Sequence, residues 1–115
     1  MNTVTIEVAS RAAADARFIN AAETGKAQGT FITFASVGDL WATLTVKRWQ
    51  LVQALCGAGP VSVRQAARLA GRDVKRVHAD VQALLAAGVP DRIDDGRIVF
   101  PFDAVRVDFS YPVAA

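Results

Sequence analysis

At 115 residues the chain has the length of about one ordinary domain, enough for one sizeable core and too little for two. Its residues are 52% hydrophobic and 21% charged, which excludes a disordered chain, and no apolar run approaches the roughly 18–20 residues of a membrane span, so a soluble protein is expected. The net charge of +2 excludes a uniformly basic or acidic chain, yet its distribution is uneven: five cations and two acids between Pro60 and Gly88 leave a local +3, whereas three Arg and five Asp from Val89 onward leave −2.

The start, MNTVTIEVAS, has neither the basic stretch nor the apolar run of a signal peptide, which points to the cytoplasm. Within it, TVTIEV at residues 3 to 8 alternates polar with β-branched residues, the period-two pattern of a half-buried strand. Ser10 is a suitable N-cap for an Ala-rich helix that places Ala14, Phe18, Ala21 and Ala22 on one face and ends near Gly25. TFITF at residues 30 to 34 is a second strand, so the first third reads β-α-β. SVGDLWATL then has Ser36 three residues before Asp39, a capping-box-like start, and stacks Val37, Leu40, Trp41 and Leu44 on a helical face. Thr45 can cap a further helix whose stripe is Trp49, Val52, Leu55 and Cys56, closed by the breaker GAGP at 57 to 60. In SVRQ, Ser62 can accept the Gln65 N–H while the Gln65 side chain reaches back, which starts a short helix running to Ala70. Gly71 permits a sharp turn into the next helix, capped by Asp73.

That next helix is the most informative in the chain. With about 100° per residue, Val74, Val77, Val81, Leu84 and Leu85 fall on one compact face, and the opposite face carries Lys75 and Arg76 beside the small Ala79 and Ala83. An exposed face that is basic and low in profile suits the DNA major groove, where the backbone must approach base edges while cations neutralise phosphates. A short capped helix, a Gly-containing turn and this longer helix also reproduce helix-turn-helix spacing. A solvated basic face is the alternative reading of the same residues. After Gly88, Ile93 and Ile98 flank Asp95-Gly96, a dipeptide suited to a type I′ hairpin in the position of a wing. Asp94 and Asp95 would repel phosphate there, leaving Arg92 and Arg97 as backbone contacts. AVRVDFSY closes the chain as another alternating strand.

Little else carries chemistry. His78 sits at the border of the apolar face and reads as a packed histidine ahead of a base-reading one. Cys56 reads as a small core residue; one Cys and one His cannot make a zinc site or an internal disulfide framework, and no third group orients them as a nucleophile pair. Trp41 and Trp49 read as core anchors, and no Gly-rich phosphate-binding motif occurs. An enzyme is therefore not expected, nor a cofactor or metal.

The segments LWATLTVKRWQLVQAL, GPVSVRQAARLAGRDVKRVHADVQALLAAGV and DGRIVFPFDAVRVDF, over roughly residues 36 to 110, resemble small predicted transcriptional regulators with a winged helix-turn-helix related to the MarR type. The GRDVK-VH-DV-AL pattern and the terminal VRVDF are the specific part. The resemblance implies a dimeric DNA-binding regulator, and some similar proteins look like antitoxins encoded beside a small toxin. Carried over with it are Arg72, Lys75 and Arg76 at the start of the matching helix, with Ser62 and Arg64 on the supporting one. The expected fold is thus α+β: a winged helix-turn-helix over residues 36–115 with an N-terminal β-α-β extension over residues 1–35, assigned to dimerisation or partner binding because TVTIEV and TFITF can offer a strand edge. The expected function is a homodimeric repressor of double-stranded DNA in which Lys75 and Arg76 contact bases or phosphates, Ala79 permits the approach, and Arg64, Arg72 and Arg97 hold the backbone. The competing expectation is an antitoxin-type module that neutralises a co-encoded toxin through its N-terminal third or acidic tail, with DNA binding secondary.

Overall fold

Local sequence sets the helix starts. In the computed structural model, which describes residues 2–25 and 29–110, five helices each begin where a short polar side chain takes up an N–H that the helix leaves unbonded. Ser10 Oγ accepts the Ala13 N–H at 3.1 Å to start α1 (Arg11–Thr24), and Gly25, at φ +68°, ends it in the left-handed conformation. Ser36 caps α2 (Val37–Thr43), Thr45 caps α3 (Val46–Leu55) and Asp73 caps α5 (Val74–Ala86). Ser62 starts α4 (Val63–Ala70) with the full reciprocal box, its Oγ 3.1 Å from Gln65 N and its own N 2.8 Å from Gln65 Oε1.

The strands form two sheets. β1 (Thr3–Val8) is the middle of a parallel three-stranded sheet, bonded to β2 (Thr30–Phe34) on one side and to β5 (Ala104–Asp108) on the other. β3 (Asp91–Arg92) and β4 (Ile98–Val99) make a short antiparallel hairpin. The architecture is α+β, as the pattern of elements predicts. Residues 1–35 and 36–115 share the three-stranded sheet, because β5 comes from the second span and β1 from the first. TVTIEV therefore offers no edge; both of its sides are occupied, and among the described residues the free edges belong to β2 and β5.

Alternation in β1 gives this sheet one apolar and one polar face. Val4 and Ile6 are fully buried and join Phe34, Leu40, Leu44, Leu51, Val52, Leu55, Val77, Val81 and Leu84 in one core. The hairpin enters the same core through Ile98 and Phe100, and Ile98 exchanges two 2.8 Å backbone hydrogen bonds with Val61, just ahead of α4. On the other face Glu7, Thr33 and Phe31 meet α1 through Arg17. Arg17 makes two hydrogen bonds to the Glu7 carboxylate, and its guanidinium carbon lies 3.7 Å from the Phe31 ring centre. Among the described residues no helix is long and apolar enough to cross a membrane.

Three local expectations are corrected. The inward face of α1 is not Ala14, Phe18, Ala21 and Ala22: Ala14, Arg17 and Ala21 are half-buried while Phe18 is 76% exposed, because the sheet face beneath presents a carboxylate that selects arginine over phenylalanine. Trp41 is 58% exposed and is not a core anchor, since Leu40 and Leu44 already fill the inner side of a two-turn helix; Trp49 does pack, half-buried, against the core, as does Cys56. The hairpin turn is not type I′, because no non-glycine residue among those described has positive φ. Instead Gly96 N–H bonds Ile93 O at 2.9 Å and Ile93 N–H bonds Arg97 O at 2.9 Å, a three-residue loop with Gly96 alone at φ +86°. Asp95 does not take a positive φ and turns its carboxylate to the Arg97 N–H at 3.0 Å.

Because α1 buries no residue of its own, its position depends on Arg17. Arg17→Ala is expected to abolish amide-exchange protection over residues 11–24 while protection of α3 and α5 persists, at a cost of about 1–2 kcal/mol in global stability. Retained protection of α1 in the variant would show that other contacts hold it.

Candidate nucleic-acid interface

α4 and α5 are joined by three residues, Gly71 to Asp73. Gly71, at φ +66°, lets the chain reverse, with its N–H on Ala67 O and Arg68 O and the Arg72 N–H on Ala67 O. α5 then buries Val77, Val81 and Leu84 completely against α3 and α4, while Lys75, Arg76, His78 and Ala79 are exposed. Exposure of His78 corrects the expectation of a packed histidine: at the margin of the seam, the ring has turned to solvent. Of the acids on this helix and its cap, Asp73 is occupied as the N-cap, accepting the Arg76 N–H at 3.2 Å.

Asp80, the other acid, faces inward. Its two oxygens are divided between two guanidinium groups, Oδ1 with Arg48 Nε at 3.1 Å and Oδ2 with Arg72 Nη2 at 2.7 Å. Arg48 also donates through Nη1 to the carbonyls of Ala42 and Thr43, at the end of α2. Arg72 Nη1 reaches Lys47 O at 3.5 Å, a weak contact at best. All three charged side chains are mostly covered. Partial burial raises the Asp80 carboxyl, but hydrogen bonds from Arg72 and Arg48 and their charges outweigh it and hold the group below the ordinary carboxylate range. An open cleft of about 830 Å³ lies over this network between the start of α3 and α5.

The structure does not bring the eight expected site residues together. Arg72, Arg76 and Ala79 line the cleft, together with Lys47 and Arg48. Lys75 is exposed on α5 but not among the cleft's lining residues; Arg64 is exposed on α4, and the Ser62 hydroxyl is spent on its cap. Arg92 and Arg97 stand apart on the hairpin, where Arg92 Nη1 bonds Gly96 O at 3.0 Å and Arg97 Nε bonds Asp95 Oδ2 at 2.6 Å. The Asp95 carboxyl is held low, chiefly by the Arg97 backbone N–H; desolvation opposes this, and the Arg97 side chain adds its hydrogen bond and charge. Arg72 thus ties the turn before α5 to Asp80 through Nη2. Lys47, exposed in the first turn of α3, is not singled out by the sequence pattern. The signal was the Thr45 cap, which places Lys47 and Arg48 at a helix start, but only the packing brings that start beside α5.

A model of the HVO_A0114 family matches residues 43–107, somewhat more than half of the chain, and the chain belongs to that family. The matched span runs from the end of α2 through α3, α4, α5 and the hairpin into β5, and leaves out β1, α1 and β2. No curated protein and no solved structure matches the chain.

Asp80 supplies the pH dependence of this region. Its folded-state pKa lies below the unfolded value, so the stabilisation is complete above the ordinary carboxylate range, about pH 4, and is lost as pH falls through the folded value. Asp80→Asn is expected to cost about 1–3 kcal/mol at neutral pH and to flatten the acid limb of a stability-versus-pH curve measured by urea unfolding. An unchanged acid limb would assign the dependence to other carboxylates.

Proposed function

We propose that this protein is a sequence-specific double-stranded DNA-binding regulator, a homodimeric repressor acting in the cytoplasm without cofactor or catalysis, in which α4, the Gly71–Asp73 turn and α5 form a helix-turn-helix and β3–β4 its wing. The observation that carries the reading is the two-sidedness of α5: a fully buried Val77, Val81, Leu84 seam and, opposite, exposed Lys75, Arg76 and Ala79 with no unpaired acid on the helix or its cap. A helix so disposed can approach base edges over its alanine while Lys75 and Arg76 neutralise phosphates or reach bases. Arg64 on α4 and Lys47 on α3 hold the flanking backbone, and Arg72 fixes the pose of α5 through Asp80. The hairpin brushes the backbone without inserting, because Asp94 and Asp95 lie at its tip and Arg97 is already paired with Asp95.

One observation favours a second activity. β1, α1 and β2 lie outside the family match, and α1 exposes Phe18 and Ile19, at 76% and 53%. Large apolar side chains in that setting suit a partner protein, which is the antitoxin-type reading with a co-encoded toxin as the partner.

Fluorescence anisotropy with a duplex from the protein's own promoter and a scrambled duplex, each at two salt concentrations, tests the proposal. Tighter, salt-sensitive binding to the promoter duplex is expected, and Lys75→Ala with Arg76→Ala is expected to weaken it and lower the salt slope by about one to two units. Equal weak binding to both duplexes, or affinity unchanged in the double variant, would refute the assignment.

A further inference from the structure

The proposed repressor needs a two-fold, and the sheet carries the geometry for one. Since β1 is paired on both sides, the open edges of the three-stranded sheet among the described residues are the outer sides of β2 and β5. Asn2 O accepts from both the Asp103 N–H at 2.7 Å and the Ala104 N–H at 3.2 Å, and with Ala104 opposite Thr3 it is the Ala104 bond that belongs to the ladder and sets the phase of β5. Bonding groups alternate along a parallel ladder, so Ala104, Arg106 and Asp108 direct their backbone groups to β1, while Val105 and Val107 direct theirs outward.

Those outward groups can be met by the same strand of a second copy. Antiparallel pairing of β5 with itself about Val107 places Val107 opposite its counterpart, and it is the register that sets each Arg106 opposite an Asp108 and each Val105 opposite a Phe109. A shift by one pairing step toward Arg106 would instead set two arginines opposite one another. Like charges directly opposite are unfavourable on a sheet and opposite charges favourable, so side-chain charge selects the Val107 register. Within one copy Arg106 Nη2 and Asp108 Oδ2 are 3.4 Å apart and both side chains are more than half exposed, so neither is committed elsewhere.

Apolar surface follows the same edge. Val107 and Phe109 are each 37% exposed, Trp41 58% and Val46 73%. Trp41 meets Phe109 edge-on with ring centres 5.5 Å apart, and Leu40, Leu44, Trp49 and Val107 help line a hollow of about 450 Å³ beside them. A two-fold axis perpendicular to the sheet keeps the helical faces of both copies on one side, which brings the two hollows toward each other across the axis.

We propose that the protein dimerises by joining β5 to β5 of a second copy in antiparallel register about Val107, extending the sheet to six strands and covering the Trp41–Val107–Phe109 surface. The inference rests on the repressor reading for its purpose and not for its geometry, so it is tested without DNA. Sedimentation equilibrium of the full chain is expected to show a dimer; Arg106→Asp is expected to raise its dissociation constant about tenfold, and Arg106→Asp with Asp108→Arg to restore it. In a Cys56→Ala background, a short bifunctional thiol reagent is expected to link Val107→Cys copies efficiently and Thr30→Cys copies, on the β2 edge, poorly. A monomer at about 100 μM, a dimer indifferent to Arg106→Asp, or preferential linking through Thr30→Cys would overturn the proposal. A charge-sensitive dimer that fails to bind DNA would uphold this interface while removing the DNA-binding reading.

Discussion

Asp80 is the point at which four parts of the chain meet. A single carboxylate on α5 receives Arg48 from α3 and Arg72 from the turn before α5, and Arg48 in turn satisfies two carbonyls at the end of α2. Helices packed only by small apolar side chains can slide or rotate at little cost, and α4 meets its neighbours largely through Ala66 and Ala67. A carboxylate held by two guanidinium groups has no such latitude, since its oxygens accept in fixed directions and partial burial makes loss of either partner costly. The bridge adds a directional tie to the buried Val77–Val81–Leu84 seam in holding α5 against α3.

The same bridge shapes the surface charge. Pairing Asp80 inward and using Asp73 as a cap withdraws both acids of the region from the outer face of α5, so the exposed cations Lys75 and Arg76 act without a compensating carboxylate on their own helix. Arg72, which counts as a surface cation in any tally of residue types, is consumed in producing this arrangement. In the proposed reading the cost of contacting a polyanion is thereby moved from the binding step to folding. Arg97 illustrates the contrast: at the hairpin tip it remains tied to Asp95, and that part of the surface stays close to neutral.

Polar contacts also govern the N-terminal segment. A parallel sheet is ordinarily covered by apolar residues on both faces, yet β1 turns Thr5 and Glu7 toward α1 and the helix is held by one arginine against Glu7 and Phe31. The large apolar side chains of α1, Phe18 and Ile19, are left outside, and β5, arriving from the far end of the chain, closes the other side of β1. The family match stops short of β1, α1 and β2 although these elements share a sheet with the matched β5.

Sequence alone determined what depends on neighbours a few residues apart. The five caps, the reciprocal Ser62–Gln65 pair, the apolar stripe of α5 and its exposed Lys75–Arg76–Ala79 face are local, because each follows from helical periodicity or from a side chain reaching its own backbone. Tertiary structure decided the rest. Whether Arg72 is a surface contact or an internal tie depends on Asp80, which Arg48 holds from the other side out of a different helix. Which face of α1 turns inward depends on Glu7 in a different element, and the place of β1 within its sheet depends on a strand about 100 residues away. Periodicity says that a helix has two faces and a strand two edges; which of them is covered is set by contacts between distant segments, and those are fixed only when the chain has closed on itself.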